Sequence, residues 1–119
     1  RVVARAPCVG LSTVYGVKLD EHEGRVGTAA IEVAQGYEIE PKVLFDVVET
    51  GLAPAARPRF IRVVDKLTTT ASFKVIKHQL QREGVSPKEV KDALYWYDSK
   101  KRTYSKLTPK EYTTVIGRI

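Results

Sequence analysis

One lysine in the C-terminal half follows a run of small and hydroxylated residues that could present it to a negatively charged reactant. Residues 68–74 read TTTASFK, and a helical pattern follows toward Leu80. A helix dipole is positive at its first turn, so a cation placed there gains nothing from the backbone. Lys74 is therefore a candidate for electrostatic stabilisation of an anionic reaction centre. The plain alternative is a surface lysine after an edge strand, and the residues alone favour neither interpretation.

Patterns for other kinds of catalytic site are missing. The sequence has no nucleophile paired with a base, no GxxxxGK phosphate loop and no carboxylate cluster for magnesium. The single cysteine, Cys8, excludes an internal disulfide and is predicted to be a buried thiol. His22 and His78 lack a Cys or His partner at ligand spacing, so we assign no metal to this chain. It could contribute a charge, but it could not bind and activate a nucleotide unaided.

The charges are unevenly distributed. Residues 1–56 contain 5 basic and 8 acidic side chains, whereas residues 57–119 contain 15 and 6. An anionic partner would be drawn to the C-terminal half, and this partner could be nucleic acid or a phosphorylated small molecule; a solvated basic surface is the plain alternative. The longest apolar runs fall short of the roughly 18–20 residues that a membrane helix requires. We expect 1–119 to be one soluble domain and a fragment of a longer chain.

The first two thirds of the chain predict an α+β fold. Segments 11–19 and 25–33 are rich in β-branched residues and are joined by a polar turn, which is typical of a hairpin. Apolar residues at helical spacing follow Pro41, and Gly51 is a plausible end of that helix. Segment 60–64 returns to strand character. These elements predict a small sheet of about three strands, the hairpin plus a further strand, with packed helices.

Three further helices are expected near the C-terminus. One ends at Gly84, and two begin at Ser86-Pro87-Lys88-Glu89 and Thr108-Pro109-Lys110-Glu111, where each segment has the hydroxyl, proline and glutamate of a capping box. Between these two starts, residues 93–107 mix aromatic and basic side chains. Such a mixture can stack nucleic-acid bases, but a packing cluster directly after a helix is the favoured interpretation.

The order of the motifs resembles the C-terminal domain of the very-long-chain acyl-CoA synthetases, also called fatty acid transport proteins, a branch of the adenylate-forming enzymes. The resemblance covers essentially the full chain and implies the mobile C-terminal lid domain of such an enzyme. It rests on VYGV (14–17), EGRVG (23–27), ARPRFIRVV (56–64), TTASFK (69–74) and DALYWYD (92–98).

The resemblance implies a catalytic role for Lys74. This residue matches the lysine of the family's TGTFK motif, which reaches into a site on the large N-terminal domain and contacts the carboxylate substrate and the ATP α-phosphate. The other positions of this substrate and nucleotide loop fall on Thr70, Ala71, Ser72 and Phe73. Ala71 replaces the motif's glycine and Ser72 its second threonine. If the glycine position requires a positive φ, Ala71 strains the loop by roughly 1 kcal/mol.

The resemblance also implies a coenzyme A site. In the family's second half-reaction the domain rotates and its opposite face builds the tunnel for coenzyme A. Gly16, Glu23, Gly24 and Arg25 are candidates to lie near the coenzyme, with Arg25 facing phosphate. The plain alternative is that the glycines serve backbone geometry and that Arg25 pairs with Glu21 or Glu23 in its own turn.

Cofactors and partners follow from the same resemblance. ATP with Mg²⁺ and coenzyme A would be bound mainly by the N-terminal adenylation domain of the same parent chain, with a fatty acid as substrate and with no nucleic acid. The fragment alone is expected to be inactive. The parent is expected to be membrane-associated, at the peroxisome, the endoplasmic reticulum or lipid droplets, with uptake coupled to ligation. Two alternatives stay open: a basic nucleic-acid-binding module, and an interaction domain that exposes Trp96 as an anchor.

Overall fold

The chain forms one mixed sheet with helices on both faces. A computed structural model describes residues 2–19, 24–67 and 77–117. The strands follow the order β1-β2-β3-β4-β5; β2 and β3 are parallel, and the other neighbours are antiparallel. None of the helices in these ranges has the length and apolar character needed to cross a membrane. The elements are β1 Val9–Val17, β2 Val26–Val33, α1 Pro41–Gly51, β3 Phe60–Val64, α2 His78–Glu83, β4 Ala93–Asp98, β5 Thr103–Lys106 and α3 Pro109–Gly117.

The α+β class, the hairpin and the helix from Pro41 to Gly51 are confirmed. The prediction of about three strands is wrong, because the described ranges form five. Residues 94–97 point alternately to the two faces of the sheet: Leu94 and Trp96 pack in one core, Tyr95 and Tyr97 against the other. The aromatic segment is therefore a strand, and aromatic residues favour this conformation when both faces are covered.

The two predicted capping boxes behave differently. At Thr108, the hydroxyl accepts a hydrogen bond from the Glu111 N–H at 3.3 Å, and α3 follows as predicted. At Ser86, the carbonyl accepts from the N–H of Val90 at 2.8 Å, but only one turn forms. The predicted helix there is wrong, because Val85 and Val90 are both buried in the core and the chain enters β4 directly afterwards.

Two apolar cores lie on opposite faces of the sheet, because side chains alternate along each strand. In β3, Phe60 and Val64 face the core beneath α2 and α3, whereas Ile61 faces the core beneath α1. Cys8 lies fully buried in the α1 core, which confirms the prediction of a buried thiol. The first core consists of Tyr15, Val17, Leu19, Ala30, Phe60, Val64, Leu67, Val85, Val90, Leu94, Leu107 and Val115.

Candidate functional site at two ends of the sheet

The described residues that precede the lysine motif and those around the predicted coenzyme site lie at opposite ends of the sheet. Because β2 and β3 are parallel, the segment after β3 leaves at one end, and the turn that precedes β2 lies at the other. We call these the loop end, from which residues 65–67 lead toward the lysine motif, and the hairpin end, which carries the start of β2 and β3. With five residues in β3 and about 3.3 Å per residue, the two ends lie on the order of 15 Å apart.

Part of the predicted site lies outside the described residues. This applies to Lys74, to the motif positions Thr70, Ala71, Ser72 and Phe73, and to Glu23. Gly16, Gly24 and Arg25 are described, as are the residues on both sides of the lysine motif. The structure thus describes the chain on both sides of the lysine motif and most of the hairpin end.

The chain that enters the lysine motif is fixed to the sheet at Leu67. The Leu67 side chain is buried in the core beneath α2 and α3. Its backbone N–H donates a hydrogen bond of 2.9 Å to the Glu32 carboxylate, near the end of β2. The position of the chain one residue before the motif region is thus set by both apolar packing and a charge-assisted hydrogen bond.

The chain that leaves the lysine motif forms α2. This helix ends at Gly84, whose φ of +72° suits a glycine, as predicted from the sequence. Leu80 is partly buried against the core. The Gln81 amide donates a hydrogen bond of 3.3 Å to the Gly16 carbonyl of β1, so α2 also contacts the strand that carries a predicted coenzyme residue.

A buried arginine lies beneath α2. Arg62, 7% exposed, points from β3 into the core beneath α2 and α3. Its guanidinium lies 2.8 Å from the Asp92 carboxylate and 2.8 Å from the Glu83 carboxylate of α2. Burial opposes the charge, but the hydrogen bonds to Asp92 and Glu83 outweigh it and raise the pKa of Arg62. Sequence reasoning missed this cluster; the available signal was an arginine at an inward position of the apolar strand FIRVV.

The hairpin end brings three predicted residues together. Gly24 has a φ of +73°, a conformation that other residues adopt only at a cost. A Cβ built on Gly16 would lie 2.8 Å from the Cβ and 3.1 Å from the Cδ of Arg25. The stem of the exposed Arg25 side chain therefore lies over Gly16, and the glycine leaves it the necessary room. Gly16 and Gly24 thus allow the backbone and side-chain positions that place Arg25 at the hairpin end.

Two grooves at the hairpin end are lined by cations. One, with a volume of about 210 Å³, is lined by Arg25, Arg57 and Arg59. The second, of about 210 Å³, is lined by Arg59, Lys100 and Trp96 and also by the acidic Asp98. Within the described ranges, Arg25 and Arg59 form no ion pair. Such a surface favours an anionic ligand. The sequence signals for Arg59 were the excess of positive charge after residue 56 and its place in the motif ARPRFIRVV.

Arg57 has a structural role in the same region. Its guanidinium donates hydrogen bonds of 3.0 Å to the Leu52 carbonyl and 2.8 Å to the Glu49 carbonyl. Arg57 thereby caps the C-terminal end of α1. Trp96 is partly buried against the core beneath α2 and α3, in agreement with the packing interpretation of the aromatic segment. Among the described side chains, no group of three or more His, Cys, Asp or Glu residues could hold a metal ion.

A hairpin, a helical crossover and a parallel strand that leads to a lysine motif define a class of small α+β domain. Residues 1–74 match the family model described as the AMP-binding enzyme C-terminal domain, and the chain belongs to this family. The match ends before β4, so the two further strands and α3 lie outside it.

Curated relatives extend the similarity into that remaining part. The chain is 39% identical over 105 residues to long-chain fatty acid transport protein 2 of Rattus norvegicus, which covers 88% of this chain and 17% of the relative. It is 34% identical over 105 residues to long-chain fatty acid transport protein 6 of Homo sapiens, with the same coverage, 88% and 17%. These matches are longer than the 74 residues of the family model. The chain spans less than a fifth of either relative's length.

Solved structures support the fold. An acyl-CoA synthetase of Brucella canis superposes with a TM-score of 0.59 at 27% identity, over 68% of this chain and 15% of that one. An o-succinylbenzoate CoA synthetase of Bacillus subtilis, a double mutant with a bound product analogue, gives 0.57 at 28% identity, over 66% of this chain and 16% of that one.

Proposed function

We propose that residues 1–119 form the C-terminal lid domain of an ATP-dependent ligase that joins long- or very-long-chain fatty acids to coenzyme A. The observation that carries this proposal is that residues 65–67, which lead toward the lysine motif, leave the sheet at the end opposite the cationic hairpin end, in a chain of the AMP-binding enzyme C-terminal domain family. The relatives are long-chain fatty acid transport proteins and the solved neighbours are CoA synthetases, which favours this function over the nucleic-acid-binding alternative.

In the first half-reaction, Lys74 acts as a point charge. A fatty acid carboxylate attacks the α-phosphate of ATP, pyrophosphate leaves and an acyl-adenylate forms. Two anions must approach each other, so a cation between them lowers the barrier. Lysine suits this task because its ammonium group is compact and its stem is long. The neighbouring positions Thr70, Ala71, Ser72 and Phe73 present this lysine to the N-terminal adenylation domain of the same parent chain.

In the second half-reaction, the hairpin end faces the coenzyme. The thiol of coenzyme A attacks the acyl carbonyl, and AMP leaves with the bonding electrons. Arg25, whose stem lies over Gly16 and which follows Glu23 and Gly24 in the sequence, faces a coenzyme phosphate, and Arg59 adds to the positive potential of the same groove. Because the two ends point away from each other, the domain has to turn between the half-reactions.

The remaining binding functions belong to the rest of the parent. Among the described side chains, no cluster of three or more His, Cys, Asp or Glu residues could bind Mg²⁺. The N-terminal domain would therefore hold the metal and most of ATP and coenzyme A. The name of the relatives supports membrane association of the parent and a link between ligation and uptake of fatty acids. We propose that the parent protein is located at the peroxisome, the endoplasmic reticulum or lipid droplets.

The test is acid-dependent ATP–pyrophosphate exchange by the full-length protein, which isolates the first half-reaction. Lys74→Ala should lower the exchange rate on the order of 10²-fold, because the charge between the two anions is lost. The matched control is Lys77→Ala, an exposed lysine three positions further along the chain, which should change the rate less than about twofold. Equal rates for wild type and Lys74→Ala would contradict the proposal.

A further inference from the structure

The helix that follows the lysine motif has little apolar attachment to the rest of the domain. None of the six residues of α2, His78–Glu83, is fully buried. Leu80 is partly buried against the core. A helix of this length does not persist by itself in water, because nucleation is costly and few hydrogen bonds follow. The position of α2 therefore depends on a few specific contacts with the sheet.

One of these contacts is an ion pair. The Glu83 carboxylate lies 2.8 Å from the Arg62 guanidinium, and Arg62 is held on its other side by Asp92 at 2.8 Å. The buried Arg62 is ion-paired with two partly exposed carboxylates, Asp92 with 33% and Glu83 with 39% of the side chain exposed. Loss of either pair would leave the charge of the buried guanidinium less well compensated. Glu83 is thereby tied to a fixed point of β3.

The entrance to the lysine motif is tied to the sheet in a comparable way. The Leu67 N–H donates to the Glu32 carboxylate at 2.9 Å. Charged side chains of two neighbouring strands, Glu32 of β2 and Arg62 of β3, thus hold the chain before residue 68 and after residue 77. The segment that contains Lys74 is bounded by these two attachments.

We infer that Arg62, together with Glu83 and Asp92, is a positioning group for Lys74. This inference rests on the proposed function. The ion pair holds Glu83, the last residue of α2, nine residues after Lys74. Through the position of this helix it influences how well the ammonium group reaches the reacting anions. A displacement of about 1 Å can cost on the order of 10²-fold in rate, so even partial loosening is measurable.

The experiment uses Glu83→Gln in the full-length protein, which removes the charge and keeps the side-chain size. ATP–pyrophosphate exchange should fall about 10-fold, with a lower kcat, while thioester formation from supplied acyl-adenylate stays within about twofold. The matched control is Glu49→Gln, which removes the ion pair with Arg102 beside α1 on the opposite face. It should leave both half-reactions unchanged. Arg62→Met leaves two carboxylates without their cation and is the less suitable variant, because it can prevent folding.

A second variant separates positioning from general stabilisation. If Glu83 acts through the lysine, Glu83→Gln should cause no further loss of exchange in a Lys74→Ala background, since residues of one unit are not additive. Equal losses in both half-reactions, or full exchange in Glu83→Gln while Lys74→Ala is impaired, would overturn the inference and leave the proposed function intact. Unimpaired exchange in Lys74→Ala, or no acid-dependent exchange in the wild type, would overturn the proposed function and with it this inference.

Discussion

The two ends of the sheet use charge in opposite ways. At the loop end, Glu32 accepts a backbone hydrogen bond, and in the middle of β3 the buried Arg62 contacts two carboxylates, one of which belongs to α2. At the hairpin end, Arg25 and Arg59 line grooves and form no ion pair within the described ranges. The buried, paired cation Arg62 holds a backbone segment in place, whereas the exposed Arg25 and Arg59, which have no ion pair among the described residues, are available to a ligand. The loop end is thus suited to placing one lysine, and the hairpin end to attracting an anion.

The core beneath α2 and α3 extends between the two ends of the sheet. A substitution that creates a cavity in this core should therefore affect both ends, and it is expected to have the largest effect on stability. Leu94, 3% exposed, lies in this core. Leu94→Ala should lower the free energy of unfolding by about 2–5 kcal/mol, because it removes buried apolar contacts and leaves a cavity. Denaturant unfolding of the 119-residue chain, followed by the fluorescence of its single tryptophan, Trp96, measures this.

The matched control for this variant is Leu11→Ala, at a leucine of β1 that is 37% exposed. Its cost should stay below about 1 kcal/mol. In the full-length protein, Leu94→Ala should impair both half-reactions to the same degree when part of the protein is unfolded. A loss confined to one half-reaction would mean that the core is not shared by the two ends.

A smaller and selective effect is expected from Gly16→Ala. The added Cβ would displace the stem of Arg25, which lies within 3.0 Å of that position. Thioester formation from supplied acyl-adenylate should fall about 10-fold while ATP–pyrophosphate exchange is retained. Gly27→Ala is the control, because Gly27 pairs with Gly16 across the hairpin and its added Cβ would meet nothing nearer than 3.8 Å. Similar behaviour of the two variants would refute a special role for Gly16.

The smallest effect concerns Tyr15, which lies in the same core as Arg62. Burial raises the pKa of the Tyr15 hydroxyl to about 12, against the opposing charge of Arg62. The folded state holds this proton more tightly than the unfolded state, where the pKa is near 10. The resulting stability is complete below about pH 10 and is lost as the pH rises toward about 12.

Denaturant unfolding between about pH 9 and 12 measures this contribution, since the tyrosine pKa of the unfolded chain lies near 10. Tyr15→Phe should make the free energy of unfolding less dependent on pH over this interval and should change it little at neutral pH. Tyr37, which is exposed, provides the control variant Tyr37→Phe. An identical pH dependence for wild type and Tyr15→Phe would show that water reaches this part of the core.

Much of the fold could be predicted, because its signals are local. Alternation in the hairpin, Pro41 at the start of α1 and the Thr108 capping box each act within a few residues. The extra strands could not be predicted in this way. The Ser86-Pro87 pattern indicates a helix locally, but burial of Val85 and Val90 on either side limits it to one turn.

The candidate site was predictable to a different extent at each end. Lys74 and the hairpin residues were predicted through resemblance of short motifs to a family. Arg62 was missed, since its partners lie far along the chain, Asp92 being 30 residues away. A pairing of this kind depends on the tertiary fold, and no sequence spacing indicates it. The role of Lys74 stays a prediction.

The most direct test of the whole account compares Lys74→Ala with Arg25→Ala in both half-reactions of the full-length protein. Lys74→Ala should lose ATP–pyrophosphate exchange on the order of 10²-fold and keep thioester formation from acyl-adenylate. Arg25→Ala should keep the exchange and raise the KM for coenzyme A about 10-fold, because a phosphate contact is lost. Parallel losses in both half-reactions for either variant would contradict the assignment of the two ends to the two half-reactions.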